Sequence, residues 1–553
     1  MDPAQDPTRA WRSPAPPCVR HEDEDVLVVS KPHGWNTHAP APFVGEGIYE
    51  WLRDREPRWA SLAIVHRLDR DTSGLMVFGK TPRANRALTS QFTERCVRKE
   101  YRLRTQCAAQ PRTHDARFDP LPDGAWRVTS WLSKEGDRQA SRPAGDPGAE
   151  AVTEFVPTSA REWLARPLTG RTHQIRVHAA ALGMPILGDR LYGGLEASRM
   201  FLHAESLSFL HPLDLKPMTF REAAPFDGEA PGTAAVTRAM LHEADTNVHR
   251  CWHGAAHGRA GWHVDRLGDF LLAAAEAGAV HDDVQSAWPG APAGPAGIYL
   301  KAWRRDVRRA RPEEACPVLI AGSPAPPRFE VVENGVRFGL SMEEGYSAGL
   351  FLDQRDNRRR LLAGHVGHAF PWPDEGLAGR EALNAFAYTG GFSVCAARAG
   401  ARVTSLDLSK KYLEWCRDNL RRNGIAPEDH DFIHGDCLDW MGRLARKGRR
   451  FDLIMVDPPT FSRSREHGDF RAEKDYGRLA EASARLAAPG AVLFFSTNAA
   501  RLAPDDFLGM VRSGIGRAGH VVRSEHYAPQ PPDFPVTRDE PAYLKTVWMR
   551  LAG

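Results

Sequence analysis

The sequence predicts a multidomain protein of mixed α/β and α+β class, and three observations carry that expectation. A chain of 553 residues exceeds what one hydrophobic core organises, so about three domains are expected. From residue 378 onward, short apolar strands alternate with helical segments, the pattern of a doubly wound parallel sheet. Before that point strands, basic loops and polar interruptions indicate a different architecture, with alternating stretches such as "RFEVVENGVRFGL" suited to half-buried strands. The segmentation reads as a proline-rich arm over 1–19, a mixed domain with a large antiparallel sheet over 20–226, and a partly helical linker over 227–246. A small α+β domain over 247–377 and a doubly wound Rossmann-like sheet over 378–553 complete it. "SRPAGDPGAE", "AWPGAPAGPAG" and "AGSPAPPR" read as loops.

Composition narrows the class. A formal charge of +3 with 42% hydrophobic residues predicts a soluble chain for which nucleic-acid binding is allowed but not indicated. The eight cysteines are scattered without paired metal-ligand spacing, which argues against zinc or a disulfide framework and suits a reducing, cytoplasmic setting. No run of about 18 apolar residues occurs, and "MDPAQD" lacks the basic start of a secretory leader, so no membrane partner is expected.

The last region carries a cofactor argument. In "FDLIMVDPPTFSRS" an apolar strand ends abruptly at Asp457, and Pro458 and Pro459 stop the ladder. Ligands of open α/β sheets bind at strand carboxyl ends, although an isolated Asp-Pro would equally suit an acid capping its own turn. "EALNAFAYTGGFSVCAARAGARVTSLDLS" reads as strand, Gly-rich turn, helix and strand, with Gly390 and Gly391 expected to let a ligand approach the backbone. Asp407 then stands where it could accept ribose hydroxyls, and Asp436, after the third strand, where it could reach an adenine edge. The full Gly-x-Gly-x-x-Gly is absent, so a nucleoside cofactor without a pyrophosphate fits better.

"NAFAYTGGFSV", "LDLSKKYLEWCRDNLRRNGI", "GDCLDW" and "DPPTFSRS" resemble the class I S-adenosylmethionine-dependent methyltransferases of large-subunit ribosomal RNA. The resemblance implies that Thr389, Gly390, Gly391, Phe392, Asp407, Asp436 and Asp457 line an S-adenosyl-L-methionine pocket. "HGAAHGRAGWHVDRLGDF" and "GLFLDQRDNRRRL" are similar to the small domain that precedes this sheet in the group, where the second stretch borders the site and helps hold RNA and cofactor. Arg355, Arg358, Arg359 and Arg360 accordingly suggest phosphate contacts, against a solvated charged turn.

Chemistry bears on the target base. Methylation at cytosine C5 needs a thiolate that adds at C6, and the relatives that do this carry Cys after the fifth strand, where "LFFSTN" has Ser496, Thr497 and Asn498. Cys437 reads as a small buried thiol in the pocket wall. Guanine N7 has its own lone pair and needs only alignment, and "DPPTFS" also resembles the guanine-N7 branch. The expectation is 7-methylguanosine, with Asp457 close to the transfer point and Pro458, Pro459 and Phe461 shaping the base pocket, Phe461 by stacking.

The first domain points to a different reaction. "HRLDRDTSGLMVFGK" sets Asp69 in a basic turn before an apolar strand, and "RTHQIRVHAAALGMPILGD" contains Arg176; a structural ion pair is the plain alternative. With "EDVLVVSKPHG", "RKEYRLR", "LYGG" and "LHAESLSFLHP", these stretches resemble the pseudouridine synthases of ribosomal and transfer RNA. The resemblance implies Asp69 as the essential carboxylate, Tyr101 as the aromatic against the uracil, and Arg176 as partner of Asp69, while His66 and Arg67 are candidates for positioning RNA or, for His66, for holding the turn. This isomerase chemistry breaks N1–C1′, turns the base, joins C5 to C1′ and removes the C5 proton. A carboxylate can capture the ribose fragment or assist its loss of a proton.

The whole reads as a bifunctional RNA-modifying enzyme, a fusion that makes pseudouridine and methylates 23S ribosomal RNA, most simply at guanine N7. The competing readings are a cytosine-C5 methyltransferase fused to a transfer- or ribosomal-RNA synthase, and a non-catalytic RNA-binding protein of ribosome assembly.

Overall fold

The computed structural model describes residues 14–111, 113, 115–143, 147–227, 232–276, 284–288, 294–303, 316–344, 347–464 and 468–553. Most of the expected proline-rich arm, residues 1–13, lies outside them. Its end is tied down, contrary to a loose arm: Cys18 is buried in the first core, its N–H donates to the Ala239 carbonyl, and Val19–Glu22 pairs with Val26–Lys31.

Residues 19–221 build a twelve-stranded sheet. Its central strand, Ser73–Gly79, is buried along its length, antiparallel to Val26–Lys31 and parallel to Leu202–Leu210, where the remaining pairings are antiparallel. The parallel contact is close. A Cβ on Gly74, at φ +116°, would lie 2.4 Å from the Ala204 carbonyl oxygen, so the position admits only glycine. The linker helix Gly232–Met240 packs Val236 and Met240 into this same domain.

The middle region is a five-stranded sheet from Val248 to Gly322, followed by the hairpin Phe329–Glu333/Val336–Leu340 and the helix Arg355–Ala363. It does not own a separate core on every face. Val248, Phe270, Phe329, Phe338 and Leu361 pack in one apolar cluster with Phe392, Phe494 and Trp548 of the last domain. That last domain is a seven-stranded sheet whose first five strands in chain order, Glu381–Ala385, Arg402–Asp407, Asp431–His434, Phe451–Val456 and Ala487–Thr497, run parallel. They stand in the spatial order third, second, first, fourth, fifth, and Lys545–Leu551 adds antiparallel to the fifth. All five carboxyl ends therefore share one edge, with the reversal of order between the first and fourth strands.

The arginine-rich helix joins these parts. Arg355 makes a bidentate pair with Asp533 at 2.7 and 2.7 Å, and Arg358 with Glu333 at 2.6 and 2.7 Å. Arg359 reaches back to the first domain, donating to the Arg55 carbonyl and to Glu56 at 3.1 Å. Arg360 donates to the Val366 carbonyl at 3.1 Å and faces Glu46. The expectation that Arg355 and Arg358 meet phosphates is thereby corrected: at 1% and 2% exposure, and with their forks occupied by carboxylates, they face the interior. Breaking such a pair from one side leaves a buried charge. Asp533→Ala is expected to destabilise the full chain by about 3–5 kcal/mol, read from denaturant unfolding followed by tryptophan fluorescence; a change under about 0.5 kcal/mol would refute the interior role of the pair.

Candidate functional sites

The first site lies in a cleft of about 2100 Å³ whose walls include Asp69, Tyr101, Arg176, His66 and Arg67. The turn bearing Asp69 is clamped from the Lys-Pro-His-Gly segment. The buried Lys31 ammonium donates to the carbonyls of Pro32, Trp35 and Arg70, and Gly34 N–H also donates to Arg70 O at 3.0 Å. Thr37 Oγ1 donates to Leu68 O at 2.8 Å. Burial pushes the Lys31 ammonium down to about 7, a fall that the charges of Asp71 and Asp69 oppose.

Arg176 Nη1 donates to Asp69 Oδ2 at 3.2 Å, so the structure brings the expected pair together. The main partner of Arg176 was not singled out from the sequence. Asp189 accepts from Nε at 2.7 Å and from Nη2 at 2.8 Å, which fixes the guanidinium plane and leaves Nη1 for Asp69. Tyr192 lies beneath the guanidinium with its ring centroid 5.1 Å away. The local signal was present in "GDRLYGG", thirteen residues after Arg176, but nothing in one sequence says that its acid turns inward. Tyr101 packs against two of the domain's apolar clusters, and burial, reinforced by Asp69, holds its phenol protonated. His66 is corrected to a structural part: its Nε2 accepts the Val77 N–H at 3.1 Å, its ring stacks on Phe92, and burial lowers it to about 3. Arg67 is exposed on the rim.

The second site stands at the shared carboxyl edge of the parallel sheet. Asp407 ends the second strand and is aimed by two backbone donors, Tyr388 N–H to Oδ2 at 2.9 Å and Ser409 N–H to Oδ1 at 2.8 Å. Burial raises its carboxyl above the usual range. Apolar surface is left beside it: Leu408 is 53% exposed, and Phe351, packed on Tyr388, 46%. Asp436 caps the helix Cys437–Arg446 by accepting from Asp439 N–H at 3.0 Å, and the preceding Gly435 donates to the Asp407 carbonyl. An acid fixed by backbone N–H groups between exposed apolar side chains suits a nucleoside.

The Gly-rich turn is built for a different reason than expected. Gly390 has φ +83°, and a Cβ there would fall 2.2 Å from Cys416 Sγ, so its bareness admits the neighbouring helix Lys410–Arg422. The nearest atoms to a Cβ on Gly391 would be Leu350 and Arg358 side chains. Thr389 turns inward, its hydroxyl donating to Gly349 O at 2.5 Å, and Phe392 sits in the core against Phe494. Of the four residues expected to line the pocket, Thr389 and Phe392 turn their side chains inward and shape the turn from within.

Asp457 follows the fourth strand. It bonds with Ser496 and Gln354, and Gln354 Nε2 donates to Ser496 Oγ at 2.6 Å. Burial pushes its carboxyl up to about 6; the bonds from Ser496 and Gln354 and the charge of Arg358 oppose that rise, and the charge of Asp353 adds to it. Pro458 is buried and Pro459 exposed. Phe461 opens the hairpin Phe461–Ser464/Gly468–Arg471, with the Arg471 guanidinium 5.8 Å from its ring centroid. Cys437 is buried against the Leu406 carbonyl, and burial pushes its thiol well up.

No helix among the described residues is long and apolar enough to cross a membrane. A family model described as RNA pseudouridylate synthase matches residues 25–181, and one described as S-adenosylmethionine-dependent methyltransferase matches residues 291–550, so the latter takes in part of the middle region. A ribosomal RNA large subunit methyltransferase K/L of Allochromatium vinosum is 41% identical over 211 residues, 38% of this chain and 26% of the relative. A ribosomal RNA large subunit methyltransferase of Deinococcus radiodurans is 35% identical over 221 residues, 40% of this chain and 51% of the relative. The chain thus spans between a quarter and about half of the length of these curated relatives. Among solved structures, a candidate methyltransferase complexed with SAH shares the fold at TM-score 0.50 and 24% identity, covering 64% of this chain and 89% of its own. Two family models thus match separate stretches of the chain, one described as RNA pseudouridylate synthase and the other as S-adenosylmethionine-dependent methyltransferase.

Proposed function

We propose that the chain is a bifunctional RNA-modifying enzyme: the first domain isomerises uridine to pseudouridine, and the last transfers a methyl group to guanine N7 of large-subunit ribosomal RNA. The observation that carries the first half is the Asp69–Arg176 pair inside the open cleft. Arg176 orients the carboxylate, and Tyr101 gives the uracil an aromatic face. The observation that carries the second half is the row of Asp407, Asp436 and Asp457 at successive strand ends beside exposed Leu408 and Phe351.

In this reading Asp407 would hold the ribose of S-adenosylmethionine, Asp436 the adenine edge, and Leu408 and Phe351 the base faces. The bound cofactor supplies a sulfonium-activated methyl group; transfer leaves the C–S electron pair on sulfur and passes the positive charge to the guanine ring. Asp457 in its ionised form would stabilise that developing charge, while Pro458, Pro459 and Phe461 bound the base. Guanine is favoured over cytosine C5 because Ser496 and Thr497 end the fifth strand and the Cys437 thiol is buried, which leaves no poised nucleophile there.

Nucleoside mass analysis of precursor ribosomal RNA incubated with the protein and isotopically labelled cofactor tests both halves. Asp69→Asn is expected to abolish pseudouridine while labelled 7-methylguanosine still forms; undiminished pseudouridine in this variant would sink the assignment. Transfer RNA in a parallel incubation separates the two substrate classes for the synthase. Labelled 5-methylcytidine without 7-methylguanosine would overturn the base, and neither product on any authentic precursor would favour the non-catalytic RNA-binding reading. Asp407→Ala is expected to weaken cofactor binding by about tenfold or more, measured by calorimetry.

The acid limb is a separate test. Asp457 is protonated below and ionised above about pH 6, so methyl transfer is expected to rise through pH 6 to a plateau near neutrality. Asp457→Asn is expected to flatten that limb and to slow transfer about a hundredfold at pH 7.5 with cofactor still bound. A limb that persists in the Asn variant would remove Asp457 from the transfer step.

A further inference from the structure

Two donors approach Asp69, and both approach the same oxygen. Arg176 Nη1 lies 3.2 Å from Oδ2, and His173 Nε2 lies 3.9 Å from Oδ2. Among the described residues no hydrogen bond or ion pair is made to Oδ1. His173 is placed by unusual backbone: it is the residue before the helix Gln174–Ala181 and sits at φ +56°, in the left-handed region that a β-carbon disfavours. Its far nitrogen is engaged as well, Nδ1 standing 2.9 Å from the Tyr192 hydroxyl, which itself accepts the Gln139 backbone N–H at 2.9 Å.

These contacts select one tautomer. An unprotonated Nε2 would direct its lone pair at the Asp69 oxygen that Arg176 Nη1 also meets, so the proton belongs on Nε2. Tyr192 O–H then donates to Nδ1, and its oxygen accepts from Gln139. The groups facing the imidazole are Asp69, Asp71, Arg176, Asp189 and Tyr192; burial lowers the His173 pKa, so the ring stays neutral at physiological pH. Burial also keeps the Tyr192 phenol protonated.

We propose that His173 is a positioning residue that, held in its Nε2–H form by Tyr192, joins Arg176 in anchoring Asp69 through Oδ2 and so reserves Oδ1 as the oxygen that meets the ribose or its proton. At 3.9 Å the contact is longer than a hydrogen bond, and the proposal requires it to shorten in the substrate complex. Arg176 alone leaves the carboxylate able to swing about its Cβ–Cγ bond, because it holds one oxygen from one direction. A second donor on the same oxygen removes that rotation, and Asp189 and Tyr192 fix the two donors in turn. No proton is transferred by His173 in this scheme.

The inference rests on the pseudouridine reading of the cleft, so the test pairs turnover with a direct measurement of the ring. In the full chain, Tyr192→Phe keeps the aromatic beneath Arg176 and leaves the His173 backbone untouched. It is expected to lower kcat for pseudouridine about tenfold with KM unchanged, and His173→Ala by about a hundredfold. His173→Gln, whose amide N–H can replace Nε2–H, is expected to recover to within about tenfold of wild type. Nitrogen NMR of histidine-labelled protein at pH 7.5, assigned by the His173→Gln difference, is expected to show the neutral Nε2–H form in wild type and mixed tautomers in Tyr192→Phe. An Nδ1–H or cationic His173 overturns the proposal, as do unchanged kcat values in active protein or losses confined to KM. A wild-type chain that makes no pseudouridine yet shows the Nε2–H form overturns the reading of the cleft and supports the arrangement itself.

Discussion

Four buried arginines on the helix Arg355–Ala363 hold the architecture together, because each guanidinium out of water demands an acceptor and the acceptors come from different parts of the chain. Glu333 lies on the middle hairpin, Asp533 in the loop before Lys545–Leu551 of the last sheet, and Glu46 and Glu56 in the first domain. A buried charge left unpaired costs several kcal/mol, so all these segments are obliged to meet at one helix. Asp54 adds to the seam by accepting the His368 N–H at 2.9 Å, and Phe43 meets Tyr527 edge-on at 4.6 Å between centroids. The first and last domains are thereby joined across charged and aromatic contacts, and the middle region is continuous in its apolar core with the last domain.

The same helix shows why charge in a sequence is ambiguous. "RDNRRR" has the composition of a phosphate-binding turn, and only the partners decide otherwise. Those partners lie 25 residues away for Glu333 and 178 for Asp533, beyond any local pattern. The fold class was far more legible, since strand and helix periodicities are local: the parallel strands ending at Asp407, before Asp436 and at Val456 stand where alternation and turn residues indicated. At the sites, residue types were readable and their duties less so. Gly390 was recognisable as a position where bareness matters, yet the atom that needs the room is Cys416 Sγ, on a helix whose packing one sequence does not display. His66 stands three residues before Asp69 in a motif rich in charge, but its imidazole accepts a strand N–H and stays neutral.

Both candidate sites rest on carboxylates, and the protein treats them in opposite ways. Asp69 is met, in an open cleft, by a guanidinium that is itself clamped by Asp189. Asp457 is drawn into the sheet edge, where burial lifts its carboxyl to about 6. Proximity of a guanidinium and depth of burial thus give the same functional group two different surroundings in one chain, and each is enforced by elements outside the site: the Lys31 clamp beneath the Asp69 turn, and the Gln354–Ser496 bond beside Asp457.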